Sequence, residues 1–314
     1  MINVRSPLRI SLGGGSTDLP SYYQKEGGHF LTAAINRYVY VSIIKPFTQG
    51  IFLKYSELEK TKKINDIKHP IIRETLKLLI PEEKQIEIIS LADIPAGTGL
   101  GSSGSFTASL VKAIYTYNNN IITANDIAKT AAKIEIEILK EPVGKQDQYA
   151  SAFGGITSFN INKKGEVIHN SLNIQPSTIH NLEDNLLLFF TGFNRSASKI
   201  LSEQDNKSKG NNIGIINNLS LIKQIGYEVK KSIENGDLVS FAKMLNEQWK
   251  LKKERSNSIS NNLIDECIEF GLKNGAMGGK LVGAGGGGFI LFYSEDPRKL
   301  KQAMASKGLE ELRF

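Results

Sequence analysis

The stretch "PAGTGLGSSGS" at residues 95–105 constrains the fold most, because it places four glycines between a strand-like run and a helical pattern. The run before it, "IEIIS" at 86–90, is rich in β-branched isoleucine and predicts a strand. After it, apolar residues recur at the spacing of a core-facing helix: Phe106, Leu110, Ala113, Ile114 and Tyr117. A glycine-rich turn at a helix N-terminus offers free N–H groups and a positive dipole end, so the stretch predicts a phosphate site.

The residues of this loop leave open which molecule carries the phosphate. No Gly-Lys-Ser/Thr occurs in it, so it is not a Walker A motif, yet Gly99-x-Gly101-x-x-Gly104 matches the bare dinucleotide fingerprint. The Rossmann pattern also needs its first glycine tight against the strand and an acidic residue about 20 positions on. Here residues 91–96 intervene and Asp126 begins a predicted helix, so the match to the Rossmann pattern is weak. A nicotinamide-dependent oxidoreductase is kept only as an alternative. Three serines could bind phosphate oxygens or a metal: Ser102, Ser103 and Ser105.

Two further glycine clusters, "GGGSTD" at 13–18 and "GAGGGG" at 283–288, accompany the loop. One cluster is commonly a tight turn, whereas three favour a backbone that approaches a ligand at several points. Asp18, at the end of the first cluster, could accept hydrogen bonds from sugar hydroxyls or cap a turn. Arg9, on the strand that leads into this cluster, could neutralise transferred phosphoryl charge; a surface arginine on an edge strand is the alternative.

Two acidic residues are candidates for chemistry. Asp147 lies between two glutamines in "GKQDQYA", where an acid flanked by amides could serve as a general base toward a hydroxyl, or could be an exposed turn residue. Glu135, twelve positions earlier on a predicted helix, could help to hold Mg²⁺. Glu137 competes with it, because both glutamates alternate with isoleucines; one of the two is expected to face solvent.

Composition excludes several classes of protein. Of 314 residues, 40% are hydrophobic and 23% charged, no apolar run reaches the roughly 18 residues of a membrane span, and the N-terminus lacks a signal-peptide layout. The one cysteine, Cys267, excludes an internal disulfide and is expected to be a buried, inert thiol in a cytoplasmic protein. The net charge of +7 is dispersed, which argues against nucleic-acid binding and favours a solvated basic surface, with an anionic substrate as a compatible second cause. The four histidines lie outside all these segments, so neither a zinc site nor a histidine triad is expected.

Strand and helix patterns are mixed rather than alternating, which predicts an α+β fold. Further strands are expected at 39–47, 186–193 and 289–294, and helices at 124–139, 215–234 and 238–256. The polar stretch at 202–212 is expected to be a mobile loop, and residues 173–183 a connection between domains.

Three segments, in this order, resemble the motifs of the GHMP kinase superfamily: "SPLRISLGGGSTD", "PAGTGLGSSGS" and "GGKLVGAGGGG". The family's phosphate loop usually reads Pro-x-x-x-Gly-Leu-Gly-Ser-Ser-Ala. The resemblance implies an α+β GHMP kinase fold with a domain like the second domain of ribosomal protein S5 over residues 1–178, holding the ATP-phosphate loop and the catalytic aspartate. A ferredoxin-like domain with the third motif would follow over 179–314.

The resemblance also assigns roles, with ATP and Mg²⁺ as cofactors. Asp147 falls on the catalytic aspartate and Arg9 on its basic partner, while Ser103 and Glu135 fall on the metal-associated residues. The ATP-phosphate residues would be Pro95, Gly97, Gly99, Leu100, Gly101, Ser102, Ser103, Gly104 and Ser105. The substrate residues would be Gly14, Gly15, Ser16, Thr17, Asp18, Gly285 and Gly286. Arg195, a basic residue among hydroxyls after a predicted strand, is the candidate for the substrate's own phosphate, ahead of Lys280.

Within the superfamily, the segments are most similar to kinases of D-glycero-D-manno-heptose 7-phosphate. This implies phosphorylation of the anomeric hydroxyl to a 1,7-bisphosphate for GDP-heptose and surface-glycan synthesis. The alternatives are a fucokinase- or galactokinase-like enzyme for a non-phosphorylated sugar, the oxidoreductase, and a non-catalytic sugar-binding protein. The expected partner is a sugar phosphate, and binding to nucleic acid or to a membrane is not expected. A homodimer is left as an open alternative.

Two positions depart from the family pattern. Gly15 stands where galactokinases and mevalonate kinases have a glutamate, which implies a roomier pocket beside Asp18. The chain also stops at "EELRF", where relatives usually continue into a last strand, so that strand is in question.

Overall fold

The computed structural model describes residues 1–80, 85–192, 200, 202–203 and 213–314. The chain forms two compact units, each assembled from separate stretches. The first unit comprises Met1–Arg9, Ala34–Ala96 and Gly101–Gly154; the second comprises Ile10–Ala33, Gly97–Leu100 and Gly155–Phe314. Strands and helices are mixed, which confirms the predicted α+β class.

The strands in chain order are β1 (Ile2–Gly13), β2 (Gly28–Ile44), β3 (Ile51–Lys54), β4 (Leu58–Thr61), β5 (Ile86–Ala92), β6 (Ile156–Ile161), β7 (Val167–Ser171), β8 (Leu186–Phe190), β9 (Gly278–Leu281), β10 (Phe289–Tyr293) and β11 (Glu310–Leu312). The α-helices are α1 (Pro20–Glu26), α2 (Pro70–Leu79), α3 (Ser102–Tyr117), α4 (Ala124–Ala132), α5 (Gln146–Phe153), α6 (Pro176–Asn185), α7 (Ile213–Glu234), α8 (Leu238–Glu254), α9 (Asn262–Lys273) and α10 (Pro297–Ser306). A 3₁₀ turn covers Ile64–Asp66, and a π-helix, Lys133–Ile138, continues α4.

In the first unit, helices pack together beside a small sheet. The second half of β2 pairs antiparallel with β5, β5 pairs parallel with β3, and β3 pairs antiparallel with β4. Helix α3 packs against α2, α4 and α5. One apolar cluster joins α3 to α4 and the π-helix: Ala108, Val111, Ile127 and Ile134. This packing brings the first turns of α3 and α5 together.

In the second unit, the first half of β2 pairs with β6, and β6 with β7, all antiparallel. A separate antiparallel sheet has the order β11-β8-β10-β9. Its core is apolar and aromatic and includes Phe189, Trp249, Ile290 and Phe292, with Cys267 buried among them as predicted. Helix α8 packs on β9 and on α7. The loop between β9 and β10 carries the third glycine cluster.

Several elements differ from the sequence prediction. The stretch 173–183, expected as a connection, contains most of α6, because Pro176 occupies a first-turn position where proline is tolerated. The residues at 310–312, for which no strand was expected, form a short strand that pairs with β8. The expected loop at 202–212 lies outside the described residues except for 202–203, which are helical. Among the described residues, no helix is both long and apolar enough to cross a bilayer.

Candidate active site

Arg9 and Asp147 form an ion pair in the first unit. Arg9 lies on β1, Asp147 lies in the first turn of α5, and the Nε and Nη2 atoms of Arg9 donate to Oδ1 of Asp147 at 2.9 and 2.6 Å. The arginine side chain is 5% exposed and the aspartate side chain 30% exposed. The pair therefore fixes a carboxylate that solvent can still reach, as a group that exchanges a proton with a substrate requires.

Two glycines at the start of α3 allow the phosphate loop to lie directly against this aspartate. A Cβ on Gly104 would lie 2.5 Å from Cβ of Asp147, and one on Gly101 would lie 3.2 Å from its Cγ. Gly101 is also the N-cap of α3 and has no side chain to bond the first-turn N–H groups. Those donors and the helix dipole favour an anion at this point, next to Asp147.

Glu135 is a buried carboxylate within the π-helix. It is 1% exposed; its Oε2 accepts from Ser103 Oγ at 2.8 Å and its Oε1 from Gln148 Nε2 at 3.1 Å. Burial raises the pKa of Glu135 to about 7, opposed by these two hydrogen bonds. Glu137, by contrast, is exposed, so the structure places one of the two glutamates toward solvent as expected. A π-helical turn often marks a functional site, and here it turns Glu135 inward.

The residues around Glu135 fit a magnesium ion that is shared with a nucleotide. The described residues contain no group of three His, Cys, Asp or Glu side chains able to hold a metal. Mg²⁺ commonly needs only one or two carboxylates when phosphates supply further oxygens. Ser103 is exposed while its hydroxyl reaches the buried Glu135, so the two would offer one hydroxyl and one carboxylate. A cation there would also favour the charged form of Glu135.

Ser105 has a structural position. It is fully buried, its Oγ donates to the carbonyl of Pro7 at 2.7 Å, and it hydrogen-bonds with Ser151 Oγ at 2.6 Å. Its backbone N–H bonds to the Gly101 carbonyl. We therefore correct the expectation that its hydroxyl meets phosphate: this hydroxyl ties α3 to β1 and α5. Ser103 is the exposed serine of the loop.

In the second unit, the 13–18 cluster is fixed by Thr17 and His29. Thr17 Oγ1 donates toward the carbonyls of Gly14 and His29, at 2.8 and 2.6 Å, and accepts from the His29 N–H at 3.0 Å. Ser16 adopts a left-handed backbone with φ of 71°, a strained state for a non-glycine residue that is frequent at ligand sites. The backbone that carries Asp18 is thus held rigidly.

Asp18 is buried near Arg255, a residue that sequence reasoning missed. Both are about 5% exposed. Burial lowers the pKa of Arg255 to about 10, and the charge of Asp18 acts in the opposite direction by stabilising the guanidinium. Arg255 follows α8 within "KLKKERSNSIS", which reads as dispersed basic surface. Because Arg255 lies just beyond the end of α8, the helical periodicity of that segment does not indicate that its side chain is buried.

The third glycine cluster packs on neighbouring backbone. The N–H of Gly286, predicted to contact substrate, donates to the Ile259 carbonyl at 2.7 Å, and a Cβ on Gly285 would lie 3.0 Å from Ile259 Cα. The backbone N–H of Gly286 is therefore engaged within the second unit. Lys280 is buried, and its Nζ donates to the Leu12 carbonyl at 3.2 Å and to Gln248 Oε1 at 2.8 Å. Arg195 lies outside the described residues.

Comparison with known proteins identifies the class. Residues 69–155 match the N-terminal domain of the GHMP kinases and residues 229–310 match the GHMP kinase C-terminal domain. The chain belongs to the GHMP kinase family and is an ATP-dependent sugar kinase.

The chain is similar to several characterised members of this class. The chain is 31% identical, over 95% of its length and 91% of the relative's, to D-glycero-alpha-D-manno-heptose 7-phosphate kinase of Campylobacter jejuni. It is 27% identical to an L-fucokinase/L-fucose-1-P guanylyltransferase of Bacteroides fragilis over 94% of this chain, and spans 34% of that protein. The crystal structure of a D-glycero-D-manno-heptose 1-phosphate kinase from Bacteroides thetaiotaomicron matches with a TM-score of 0.80 and 26% identity, covering 100% of this chain and 95% of that one.

Proposed function

We propose that this kinase transfers a phosphoryl group from ATP to the anomeric hydroxyl of D-glycero-D-manno-heptose 7-phosphate, giving the 1,7-bisphosphate for GDP-heptose and surface-glycan synthesis. The observation that carries the proposal is the Arg9–Asp147 ion pair, which lies in contact with the glycines at the start of α3. The similarity to the Campylobacter jejuni heptose 7-phosphate kinase supports the sugar. The name of the structural relative places the heptose phosphate at carbon 1 instead, so both positions enter the test.

In this reaction Asp147 would accept or orient the proton of the attacking hydroxyl, while the hydrogen bonds from Arg9 hold the carboxylate in place. Phosphoryl transfer needs positioning and charge neutralisation more than covalent chemistry. The first-turn N–H groups of α3 would hold phosphate oxygens. Ser103 and Glu135 would hold Mg²⁺, which supplies further neutralisation of the β- and γ-phosphates when it is bound.

Recognition of the sugar is proposed for the second unit's glycine clusters. Asp18 would accept hydrogen bonds from sugar hydroxyls, with its backbone held by Thr17. The segment from Gly14 to Thr17 and the turn at Gly285 and Gly286 would shape the pocket, and Gly15 leaves it room. Arg195 stays the proposed ligand for the substrate phosphate.

Two broader proposals accompany this function. We keep 1–178 and 179–314 as domains, because each contains one of the two family matches. An ATP-dependent step in nucleotide-sugar synthesis also favours a cytoplasmic site of action.

The deciding experiment is turnover on a panel of heptose 7-phosphate, heptose 1-phosphate, L-fucose and D-galactose, with ATP and Mg²⁺. We expect the highest kcat/KM on heptose 7-phosphate, with ³¹P resonances of an anomeric phosphate in the product. L-Fucose is the second candidate, because a fucokinase is among the relatives. A preference for an unphosphorylated sugar would replace the proposed substrate, and heat-inactivated enzyme controls for background transfer.

A further inference from the structure

Lys252, in the last turn of α8, holds the third glycine cluster through its ammonium group. Its Nζ donates to the carbonyl of Leu281, the last residue of β9, at 3.0 Å and to the carbonyl of Gly283 at 2.6 Å. The side chain is half-buried. Charged donors form stronger hydrogen bonds than neutral ones, so this lysine ties the start of the glycine turn to α8.

The same turn presses on the phosphate loop within the second unit. A Cβ on Gly99 would lie 2.8 Å from the Val282 carbonyl oxygen, and a Cβ on Gly283 would collide with the backbone of Gly99. Gly288, at the other end of the turn, meets the carbonyl of Thr98 in the same manner. The two backbones are in such close contact that displacing Gly283 would displace Thr98 and Gly99.

A glycine turn cannot hold its own shape by side-chain packing. Glycine has the largest backbone freedom of all residues, so a run such as 283–288 needs fixing from outside. Lys252 provides such a contact at the first residue of the run, immediately beside the point where Gly99 packs. Its compact ammonium can serve two carbonyls at once.

We propose that Lys252 is a positioning residue for ATP: by holding the Leu281 and Gly283 carbonyls, it fixes Thr98 and Gly99 in the geometry that receives the nucleotide's phosphates. This inference rests on the proposed role of residues 97–105 in ATP binding. It assigns Lys252 to the nucleotide and not to the sugar, because Gly286, which is proposed to border the sugar, is held separately by its hydrogen bond to the Ile259 carbonyl.

The next residue in the chain supplies a matched control. Lys253 is also half-buried and lies over the same Trp249 ring, at 5.7 Å compared with 5.9 Å for Lys252. It differs in its partner, since Nζ of Lys253 pairs with Asp265 at 3.0 Å. Lys253→Met therefore removes a lysine and a similar ring contact without touching the glycine turn.

The test compares Lys252→Met, Lys252→Arg and Lys253→Met with the wild type, using full-length enzyme. Steady-state kinetics give separate KM values for ATP and for heptose 7-phosphate, and calorimetry gives the Kd of a non-hydrolysable ATP analogue. We expect Lys252→Met to raise both the KM for ATP and the analogue Kd about tenfold, which corresponds to about 1.4 kcal/mol. The sugar KM should stay within about twofold, Lys252→Arg should recover part of the loss, and Lys253→Met should match the wild type.

An unchanged analogue Kd in folded Lys252→Met would overturn the inference, as would an equal rise in both KM values. If Lys252→Met does not fold, Lys252→Gln, which keeps a neutral NH₂ donor group and removes the positive charge, is measured against the same criteria. Failure of the proposed function looks different, because the wild type itself would then not turn over the heptose phosphate. Calorimetry with the ATP analogue remains informative in that case.

Discussion

At the scale of single residues, the central feature is the unequal exposure of Arg9 and Asp147. Removing one partner of a buried ion pair costs about 3–5 kcal/mol, because the other charge is left uncompensated. Arg9 is the buried member, so its loss would damage the fold as well as the chemistry. Asp147 is the better residue to test, since an asparagine keeps an acceptor for Arg9 while losing the negative charge.

We predict that Asp147→Asn lowers kcat by about 10²-fold or more, because the variant loses general-base assistance. The measurement is kcat at saturating ATP and sugar, with the urea unfolding midpoint as a check on folding. Asp66→Asn, an exposed aspartate of the same unit, is the matched control and should retain wild-type kcat. Near wild-type turnover of a folded Asp147→Asn enzyme would remove Asp147 from the mechanism.

Glu135 and Glu137 allow a second comparison between neighbouring residues. Glu135→Gln keeps the shape of the buried side chain and removes the charge that would hold Mg²⁺, whereas Glu137→Gln alters an exposed position. We predict that the Mg²⁺ concentration for half-maximal activity rises about tenfold or more only in Glu135→Gln. Manganese titration followed by electron paramagnetic resonance, with ATP present, reports the metal affinity independently of turnover. Equal metal affinities in the two variants would argue against Glu135 as a ligand.

Residue-level prediction from the sequence depended on local pattern. Glutamines flank Asp147, and the alternation with isoleucine singled out Glu135 and Glu137, although the pattern could not choose between them. Burial made that choice, through the π-helix that turns Glu135 inward. Arg255 was not found, because its significance depends on Asp18, which is 237 positions away in the chain.

At the scale of elements, the close approach of α3 and α5 depends on Gly104. The related phosphate loops usually carry alanine at this position, and here a Cβ would lie 2.5 Å from Cβ of Asp147 and 2.8 Å from its carbonyl carbon. Backbone atoms cannot swing aside as a flexible side chain can, so a methyl group would have to push the two helices apart.

We therefore predict that Gly104→Ala lowers the free energy of unfolding by about 1–3 kcal/mol, the usual cost of overpacking. It should also reduce kcat, because Asp147 moves with α5. Urea unfolding and steady-state kinetics measure the two effects. Lys112→Ala, on the exposed side of the same helix, is the control and should change neither quantity appreciably. Full stability and activity of Gly104→Ala would mean that the helices accommodate the methyl group without consequence.

Helices were the most predictable elements. The apolar spacing after the phosphate loop predicted α3, and the long patterns that predicted α7 and α8 agree with the observed bounds to within about two residues. Strands were less complete, because β2 begins at Gly28, eleven positions before the expected run at 39–47. The early part of β2 pairs with β6, a partner more than 100 residues away, and local composition does not report such pairing.

At the scale of the whole molecule, stability depends on a histidine that is buried without charge. The Nε2 of His29 hydrogen-bonds with Ser158 Oγ at 3.0 Å, and its ring packs against the Tyr227 ring with centroids 3.9 Å apart and an interplanar angle of 31°. Among the described residues, Nδ1 has no hydrogen-bond partner. Burial lowers the pKa of His29 to about 4, aided by the charges of Lys230 and Lys223.

This pKa fixes the direction of an acid dependence. In the unfolded chain a histidine titrates near pH 6.5, so between about pH 6.5 and 4 the unfolded state holds a proton that the folded state does not. The contribution is fully present above about pH 6.5 and is lost as the pH falls toward 4. We predict that the free energy of unfolding drops by about 2 kcal/mol between about pH 7 and pH 5 because of His29 alone.

Urea unfolding at the two pH values measures this drop. In His29→Gln, the difference in the free energy of unfolding between the two pH values should be smaller by that amount, even if the variant is less stable at both. His180→Gln, at an exposed position, should retain the wild-type pH dependence of the free energy of unfolding. An identical pH dependence in wild type and His29→Gln would show that other groups are responsible.

The two-unit organisation is the feature that sequence patterns could not supply. Each unit is built from three separate stretches, and β1 and β2 each contribute residues to both. Resemblance to a family could imply the fold, but periodicity within 10–20 residues carries no information on which distant strands pair. The contact between Thr17 and His29 illustrates the point, since His29 lay outside every segment that the sequence singled out.

The carbonyl of Leu12, near the end of β1, accepts hydrogen bonds from Gln248 and Lys280, which follow it by 236 and 268 residues. On the ribosome, a chain that has emerged as far as residue 247 has neither donor for this buried group. In the strand that leads into the first glycine cluster, the bonding of this carbonyl is therefore complete only after residue 280 has been synthesised. Synthesis that stops between residues 248 and 280 would thus leave the buried Leu12 carbonyl with only one of its two donors.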